Sequence, residues 1–283
     1  MRPFEYVEPE TLDEALALLA EDPDETLVMA GGTALVILMK QELIRPARVI
    51  GLRRIAQLRD IGATEPGLAL GALATHGALA RSAEVRAHAA ALAATFAAVA
   101  TVRIREQATL GGNLAHADPA QDPPVTLLAL DGVAVVRSKA GSRRIPLDAL
   151  FVDIFETSLE PGEVLLRVEL PPMPPAARAT YQKFLPGTLD DYATVSVAAV
   201  VATGQDGVCT HARIALGAAG PIPLRARDAE RSLMGRRLDD AAIREAAALA
   251  AAATDPIDDL RGSAEYKRAM AAVWTERALR AVA

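Results

Sequence analysis

Residues 171–175 read Pro-Pro-Met-Pro-Pro, and no other stretch of this chain limits its fold as severely. Successive prolines donate no backbone hydrogen bond and cannot continue a helix, so neither a sheet ladder nor a helix runs through this point. The chain is expected to divide there into a domain over 1–172 and a second over 177–283. Its 283 residues suffice for two units, and a hydrophobic share of 51 % supplies apolar surface for two cores.

Ahead of the prolines, helix and strand signals alternate. Thr11-Leu12-Asp13-Glu14 is a capping box, with Thr at the N-cap and Glu three residues on, and predicts a helix over 11–20. The apolar run 26–30 reads as a buried strand that stops at Gly31-Gly32. An apolar stretch from Leu35 to Met39 and a strand over 48–50 follow, which favours a small parallel sheet in a lobe of about 1–55. In a second lobe, 56–172, Leu68, Leu70 and Ala72 alternate as in a strand and 76–82 has helical character. The alanine-rich segment 87–100 predicts one helix by propensity. A second glycine pair, Gly111-Gly112, precedes Pro119, Pro123 and Pro124, which predict an irregular path before Val125. Strands are expected at 133–137 and 163–170.

Beyond the prolines, 181–185, 195–203 and 209–217 look like consecutive strands, the last two joined by a turn at Asp206-Gly207. Helices near 239–253 and 263–282 follow, the latter capped by Ser263. Strands followed by helices describe an α+β domain.

Composition removes several functions. With 30 Lys and Arg against 36 Asp and Glu, the formal charge is −6, and a nucleic-acid binder needs the opposite balance. The lone Cys209, expected to be buried and inert, excludes an intrachain disulfide and any cysteine-ligated zinc or iron–sulfur centre held by this chain alone. No metal site is expected, since His76, His88, His116 and His211 lack ligand spacing; each is expected at the surface or hydrogen-bonded. No G-x-S-x-G elbow, P-loop or G-x-G-x-x-G pattern occurs. The first residues resemble no secretory signal, and no run reaches the roughly 20 apolar residues of a membrane span. A reducing, cytoplasmic setting is expected.

The glycine pairs carry the chemistry. Without a Cβ the backbone adopts positive φ and approaches a ligand closely, and its N–H groups can converge as an anion nest. Two such turns, if each precedes a helix, would grip the two halves of a pyrophosphate, making a dinucleotide the natural ligand. Ordinary turns also use Gly-Gly, so spacing alone leaves both readings open. Asp118 and Asp122 suit either ribose or ribityl hydroxyls or simple turn and cap duty. Lys183 is a single cation in an apolar strand context, where most lysines are solvated.

The strings AGGTALVILMK at 30–40, ATLGGNLAHADPAQDPP at 108–124 and DPIDDLRGSAEYKR at 255–268 resemble the FAD-binding medium subunit of molybdenum hydroxylases. This group includes the carbon monoxide dehydrogenase medium subunit and the matching xanthine dehydrogenase region. The resemblance implies an α+β fold: a two-lobed FAD-binding domain of the vanillyl-alcohol oxidase type, followed by a C-terminal α+β domain with an antiparallel sheet and helices. It implies FAD as cofactor, touched by Val28, Met29, Ala30, Gly31, Gly32, Thr33, Ala34 and Leu35 in a first loop. A second loop would comprise Thr109, Leu110, Gly111, Gly112 and Asn113. Further contacts would be Val99, Asp118, Asp122, Leu165, Lys183 and Tyr192, the last near the isoalloxazine face. No covalent anchor and no catalytic acid–base pair are expected. The implied partners are a molybdopterin-binding large subunit and a small subunit carrying two [2Fe–2S] clusters, as a dimer of heterotrimers, with quinone, NAD or oxygen as external acceptor. The single cysteine agrees with a chain that serves as the flavin station. Two rivals are a self-sufficient flavoenzyme with its own substrate and a flavin-free interaction module.

Overall fold

The computed structural model describes residues 2–65, 67–188 and 190–283. The chain begins β1 (Glu5–Val7), α1 (Leu12–Glu21), β2 (Thr26–Met29), α2 (Leu35–Lys40) and β3 (Arg48–Gly51). These strands form a parallel sheet in the order β1-β3-β2. The capping box of α1 is complete: Glu14 N–H donates to Thr11 Oγ1 at 3.2 Å, and Thr11 N–H donates to Glu14 Oε2 at 3.2 Å. Leu12, Ala15, Leu16 and Leu19 on one helical face then bury against Ile50 and Leu52.

The next region runs β4 (Ile61–Thr64), β5 (Gly67–Gly71), α3 (His76–Arg81), α4 (Ala83–His88), α5 (Ala90–Ala97), α6 (Val102–Gln107), α7 (Leu110–His116) and α8 (Asp122–Ala129). It closes with β6 (Val133–Ser138), β7 (Gly141–Pro146), the small hairpin β8 (Phe151–Asp153) and β9 (Glu156–Thr157), and β10 (Val164–Leu170). Its sheet is antiparallel in the order β4-β5-β10-β6-β7. Two expectations fail here. The alanine-rich stretch is not one helix over 87–100, because Ala89 is extended (φ −156°, ψ 109°) and buried, which separates α4 from α5. Propensity favours a helix through this point, and tertiary packing overrides it. Pro123 and Pro124 do not force an irregular path either. They occupy the first turn of α8, where a missing N–H costs no helical hydrogen bond.

After the prolines come β11 (Arg178–Phe184), β12 (Val195–Thr203), β13 (Cys209–Gly217), β14 (Leu224–Arg225), α9 (Arg227–Leu233), α10 (Asp240–Ala252) and α11 (Ala264–Val282). The sheet is antiparallel, in the order β11-β12-β13-β14. The apolar run of β12 shows no hydrophobic alternation because both of its faces are covered. Ala198 and Val200 join the core of the preceding region, whereas Val195, Val197, Ala199 and Val201 pack with α9, α10 and α11. In the register of β11 on β12, Tyr181 stands opposite Ala198 and Lys183 opposite Ser196. The sheet therefore presents Tyr181 and Lys183 to the first part of the chain. No helix among the described residues is long and apolar enough to cross a membrane.

Candidate functional site

Two adjoining cavities of about 380 and 360 Å³ run along the cleft between the parallel sheet, the α7 region and β11, sizes suited to a small-molecule cofactor. The first is walled by residues 27–35, by Thr109, Gly111, Gly112 and Asn113, and by apolar side chains including Ile44, Leu159 and Leu165. The second is walled by His76, Val99, Ala100, Ile104, Asp122, Lys183 and Tyr192, among others. Thr33, Ala34, Leu38, Ala108, Asn113, His116 and Gln121 border both, so together they form one extended slot.

The loop after β2 keeps its donors unspent. Among the hydrogen bonds of the described residues, none uses the N–H of Gly31, Gly32, Thr33, Ala34 or Leu35. Gly32 has φ +71°, a left-handed conformation that favours glycine, and Ala34 lies in the right-handed region. Gly31 is small for a different reason. A Cβ there would lie 2.1 Å from the Gln107 carbonyl oxygen, and Gln107 Nε2 donates to Gly31 O at 3.0 Å. The loop is thereby pinned against the end of α6.

The second glycine pair behaves otherwise. Gly111 and Gly112 do not precede a helix but lie inside the first turn of α7, whose N-cap is Thr109. Their region's amides are already committed: Leu110 N–H to Ala74 O (3.0 Å), Gly111 N–H to Ala72 O (2.7 Å), Gly112 N–H to Thr109 Oγ1 (3.2 Å) and Asn113 N–H to Thr109 O (2.9 Å). Two matching anion nests are therefore not what the chain builds. Gly111 is small because a Cβ would sit 2.6 Å from that of Ala72, whereas a Cβ at Gly112 would meet Thr109 Oγ1 at 3.0 Å and Ala30 Cβ at 3.5 Å, on the wall of the first cavity.

At the far end of the slot, Lys183 is not solvated. Its ammonium donates to Asp122 Oδ2 at 2.9 Å and to Ala98 O at 3.1 Å, with both side chains of the pair almost wholly buried. The Tyr181 hydroxyl donates to the other Asp122 oxygen. Burial pushes the Asp122 pKa up, and the Lys183 charge and the Tyr181 hydrogen bond oppose that shift. Burial, reinforced by the Asp122 charge, raises Tyr181 well above the ordinary tyrosine range. Tyr192 lines the second cavity and is 43 % exposed, with the Arg261 guanidinium 5.4 Å from its ring centroid and Arg261 also paired with Asp191 at 2.7 Å. Burial and then the Asp118 carboxylate raise the Tyr192 pKa.

The slot thus gathers Val28–Leu35, Val99, Thr109, Gly111–Asn113, Asp122, Leu165, Lys183 and Tyr192. Leu110 is fully buried in the core and borders neither cavity. Asp118 also lies outside both walls; it accepts the Ala120 N–H at 2.9 Å and holds a turn. Sequence reasoning passed over Tyr181 and Gln121 and misplaced His76. His76 departs from the expected surface or hydrogen-bonded state: it is fully buried, stacks 5.7 Å from Phe96, and leaves both ring nitrogens unpartnered. Burial, with help from the Arg105 charge, lowers its pKa to about 4. A histidine beside an apolar helix start carries no local signal of this. Cys209 is buried, and burial raises its pKa. No cluster of three or more metal-ligating side chains occurs among the described residues.

Comparison with known proteins identifies the architecture. The family described as the FAD binding domain in molybdopterin dehydrogenase matches residues 2–173, and the CO dehydrogenase flavoprotein C-terminal domain matches 179–282. The chain belongs to this family of FAD-binding medium subunits of molybdenum hydroxylases. It is 34 % identical to the 6-hydroxypseudooxynicotine dehydrogenase complex subunit alpha of Paenarthrobacter nicotinovorans, over 98 % of this chain and 93 % of that one. It is 29 % identical to the putative xanthine dehydrogenase FAD-binding subunit of Escherichia coli K12, over 83 % and 80 %. Its fold superposes on carbon monoxide dehydrogenase from Hydrogenophaga pseudoflava with a TM-score of 0.96 and 34 % identity, covering 100 % of this chain and 98 % of that one. Family membership makes FAD the cofactor and the chain an oxidoreductase subunit. The slot fits that cofactor: it offers unspent amides for a diphosphate, a floor without a Cβ at Gly112, and buried polar atoms of Asn113, Gln121 and His76 that lack protein partners.

Proposed function

We propose that this medium subunit holds FAD extended along the slot and serves as the electron exit of a molybdenum hydroxylase. The observation that carries this reading is the row of five unspent amides, Gly31 to Leu35, along the wall of the first cavity. These amides would hold the diphosphate, and Val28, Met29 and Ala30 would line the approach from β2. Thr109, Gly111, Gly112 and Asn113 would form the opposite wall, and Leu165 would border the adenosine. Val99, Asp122, Lys183 and Tyr192 would border the isoalloxazine, with Leu110 and Asp118 supporting from behind. The cofactor would be held without a covalent bond.

The bound flavin supplies the ability to take electrons one at a time and release them singly or in pairs. The chain's own contribution is placement and electrostatics. Tyr192, bracketed by Arg261 and Asp191, limits water at the opening, and Lys183 sets a positive charge, compensated by Asp122, at the buried end. Electrons would come from the [2Fe–2S] clusters of a small partner subunit, while substrate is oxidised at the molybdopterin centre of a large one. The assembly would be a dimer of heterotrimers in the cytoplasm, with the two parts of this chain, 1–172 and 177–283, as its flavin station. Quinone, NAD or oxygen would take the electrons away.

The test is spectroscopic. The native complex, purified with its partners, is expected to show oxidised-flavin absorption that bleaches when the complex receives its organic substrate. The isolated chain is expected to keep the flavin spectrum yet fail to bleach with the same substrate. Bleaching by the isolated chain would replace this reading with a self-sufficient oxidoreductase, and a chain free of flavin would leave an interaction module.

A further inference from the structure

Gln121 carries an unmet buried acceptor in the stretch of the slot shared by both cavities. It is 7 % exposed and borders both cavities, and its side-chain carbonyl oxygen is buried without any hydrogen-bond partner. Its side chain does not cap α8, although Gln121 occupies the N-cap position. The backbone beneath it is fixed: Gln121 N–H donates to Asp118 O at 3.2 Å, and Pro119 O accepts the Ala218 N–H at 2.9 Å. A clamped residue on the wall of both cavities therefore carries an unmet acceptor. Leaving such a group buried costs free energy that a ligand hydroxyl or N–H can recover.

We infer that Gln121 is a flavin-binding residue whose side-chain carbonyl accepts a hydrogen bond from one hydroxyl of the ribityl chain. The inference rests on the placement of FAD given above. With the diphosphate at Gly31–Leu35 and the isoalloxazine beside Tyr192 and Lys183, the segment crossing the junction is the ribityl chain. Phosphate and ring carbonyl oxygens only accept hydrogen bonds, so they do not satisfy a carbonyl. The ribityl hydroxyls donate. Asn113, whose side-chain oxygen is also buried and unpartnered, borders the same junction, so two unmet acceptors belong to this point of the slot.

The test uses the full chain stripped of flavin and titrated with FAD and with its 2′-, 3′- and 4′-deoxyribityl analogues. The wild-type chain is expected to bind one of the three about tenfold more weakly than FAD, the size of one lost hydrogen bond that leaves a buried partner unmet. Gln121→Leu is expected to bind FAD about tenfold more weakly and to show no further loss with that same analogue. Its apo form should unfold at a temperature no lower than the wild type, since the change removes an unmet polar atom. An unaltered FAD affinity in Q121L would overturn the inference. So would independent, multiplying penalties for all three analogues. The wild-type analogue series stands even if Q121L folds poorly: equal affinity for FAD and all three analogues would end the proposal. Failure of the placement itself is read separately, as a wild-type chain that binds no FAD at all.

Discussion

The loop at Gly31-Gly32 and the turn at Gly111-Gly112 look alike in sequence and do opposite things. The first leaves five successive amides without protein partners, while the second commits every amide from Leu110 to Asn113 to the α7 cap and to Ala72 and Ala74. The first is held from outside by Gln107, the second from within by Thr109. A glycine pair therefore reports that the backbone needs room, and only the hydrogen-bond accounting says whether that room serves a ligand or a neighbouring strand. In this molecule one side of the slot offers free donors and the other offers shape, with the charged pair Asp122–Lys183 beyond it.

The largest effect comes from breaking that pair. Lys183→Met would leave the Asp122 carboxylate buried with only Tyr181 to stabilise it, at a cost of about 3–5 kcal/mol in unfolding free energy. Adding Asp122→Asn to the same chain removes the stranded charge and is expected to restore most of the loss. Chemical denaturation of the single and double variants checks this. If the double variant is no more stable than Lys183→Met, the cost arises from packing and the electrostatic account fails.

A smaller effect follows from His76, whose backbone N–H donates to Ala108 O at 3.0 Å just before the second turn while its ring stays unpartnered. Its folded pKa of about 4 lies below the ordinary 6.5. Above pH 6.5 the ring is neutral in both states and nothing is lost. As the pH falls toward 4, unfolded chains take up a proton that the folded chain refuses, so stability declines by up to roughly 3 kcal/mol. His76→Phe removes this contribution. The stability difference between the variant and the wild type is expected to grow in favour of the variant from pH 6.5 toward 4, and a difference constant across that range would disprove the assignment.

Elements with local signals were legible from sequence. The Thr11–Glu14 capping box announced α1, and Asp206-Gly207 announced the turn joining β12 to β13. Where the signal is tertiary, it was not. Nothing around Ala89 marks a break between two helices, since alanine favours helix everywhere and the break is set by packing. The strand β7, Gly-Ser-Arg-Arg-Ile-Pro, lies at a sheet edge with little apolar alternation to betray it. The same division runs through the site. The turn at Gly31-Gly32 was legible because glycine constrains its own neighbourhood, but the fate of Lys183 was not. Its burial depends on β11 bringing it to Asp122, 61 positions earlier in the chain. Gln121 went unnoticed and His76 was misplaced for the same reason, because an unmet hydrogen bond is a property of surroundings and leaves no mark in a string of letters.

The smallest effect sharpens the contrast between the glycine pairs most directly. Thr109 Oγ1 is what occupies the Gly112 N–H. Thr109→Val keeps the shape of the side chain and removes the acceptor, freeing that amide toward the first cavity at a stability cost of about 1 kcal/mol, the usual worth of an N-cap. If the second turn acts through shape alone, FAD affinity in Thr109→Val should stay within about twofold of wild type, because the freed amide lies against the floor at Gly112 and not beside the donors of residues 31–35. A gain of about tenfold would instead mean that the cap masks a latent phosphate contact. Unfolding and flavin titration of the same preparation separate the two outcomes, since the first measures the cap and the second measures what the cap conceals.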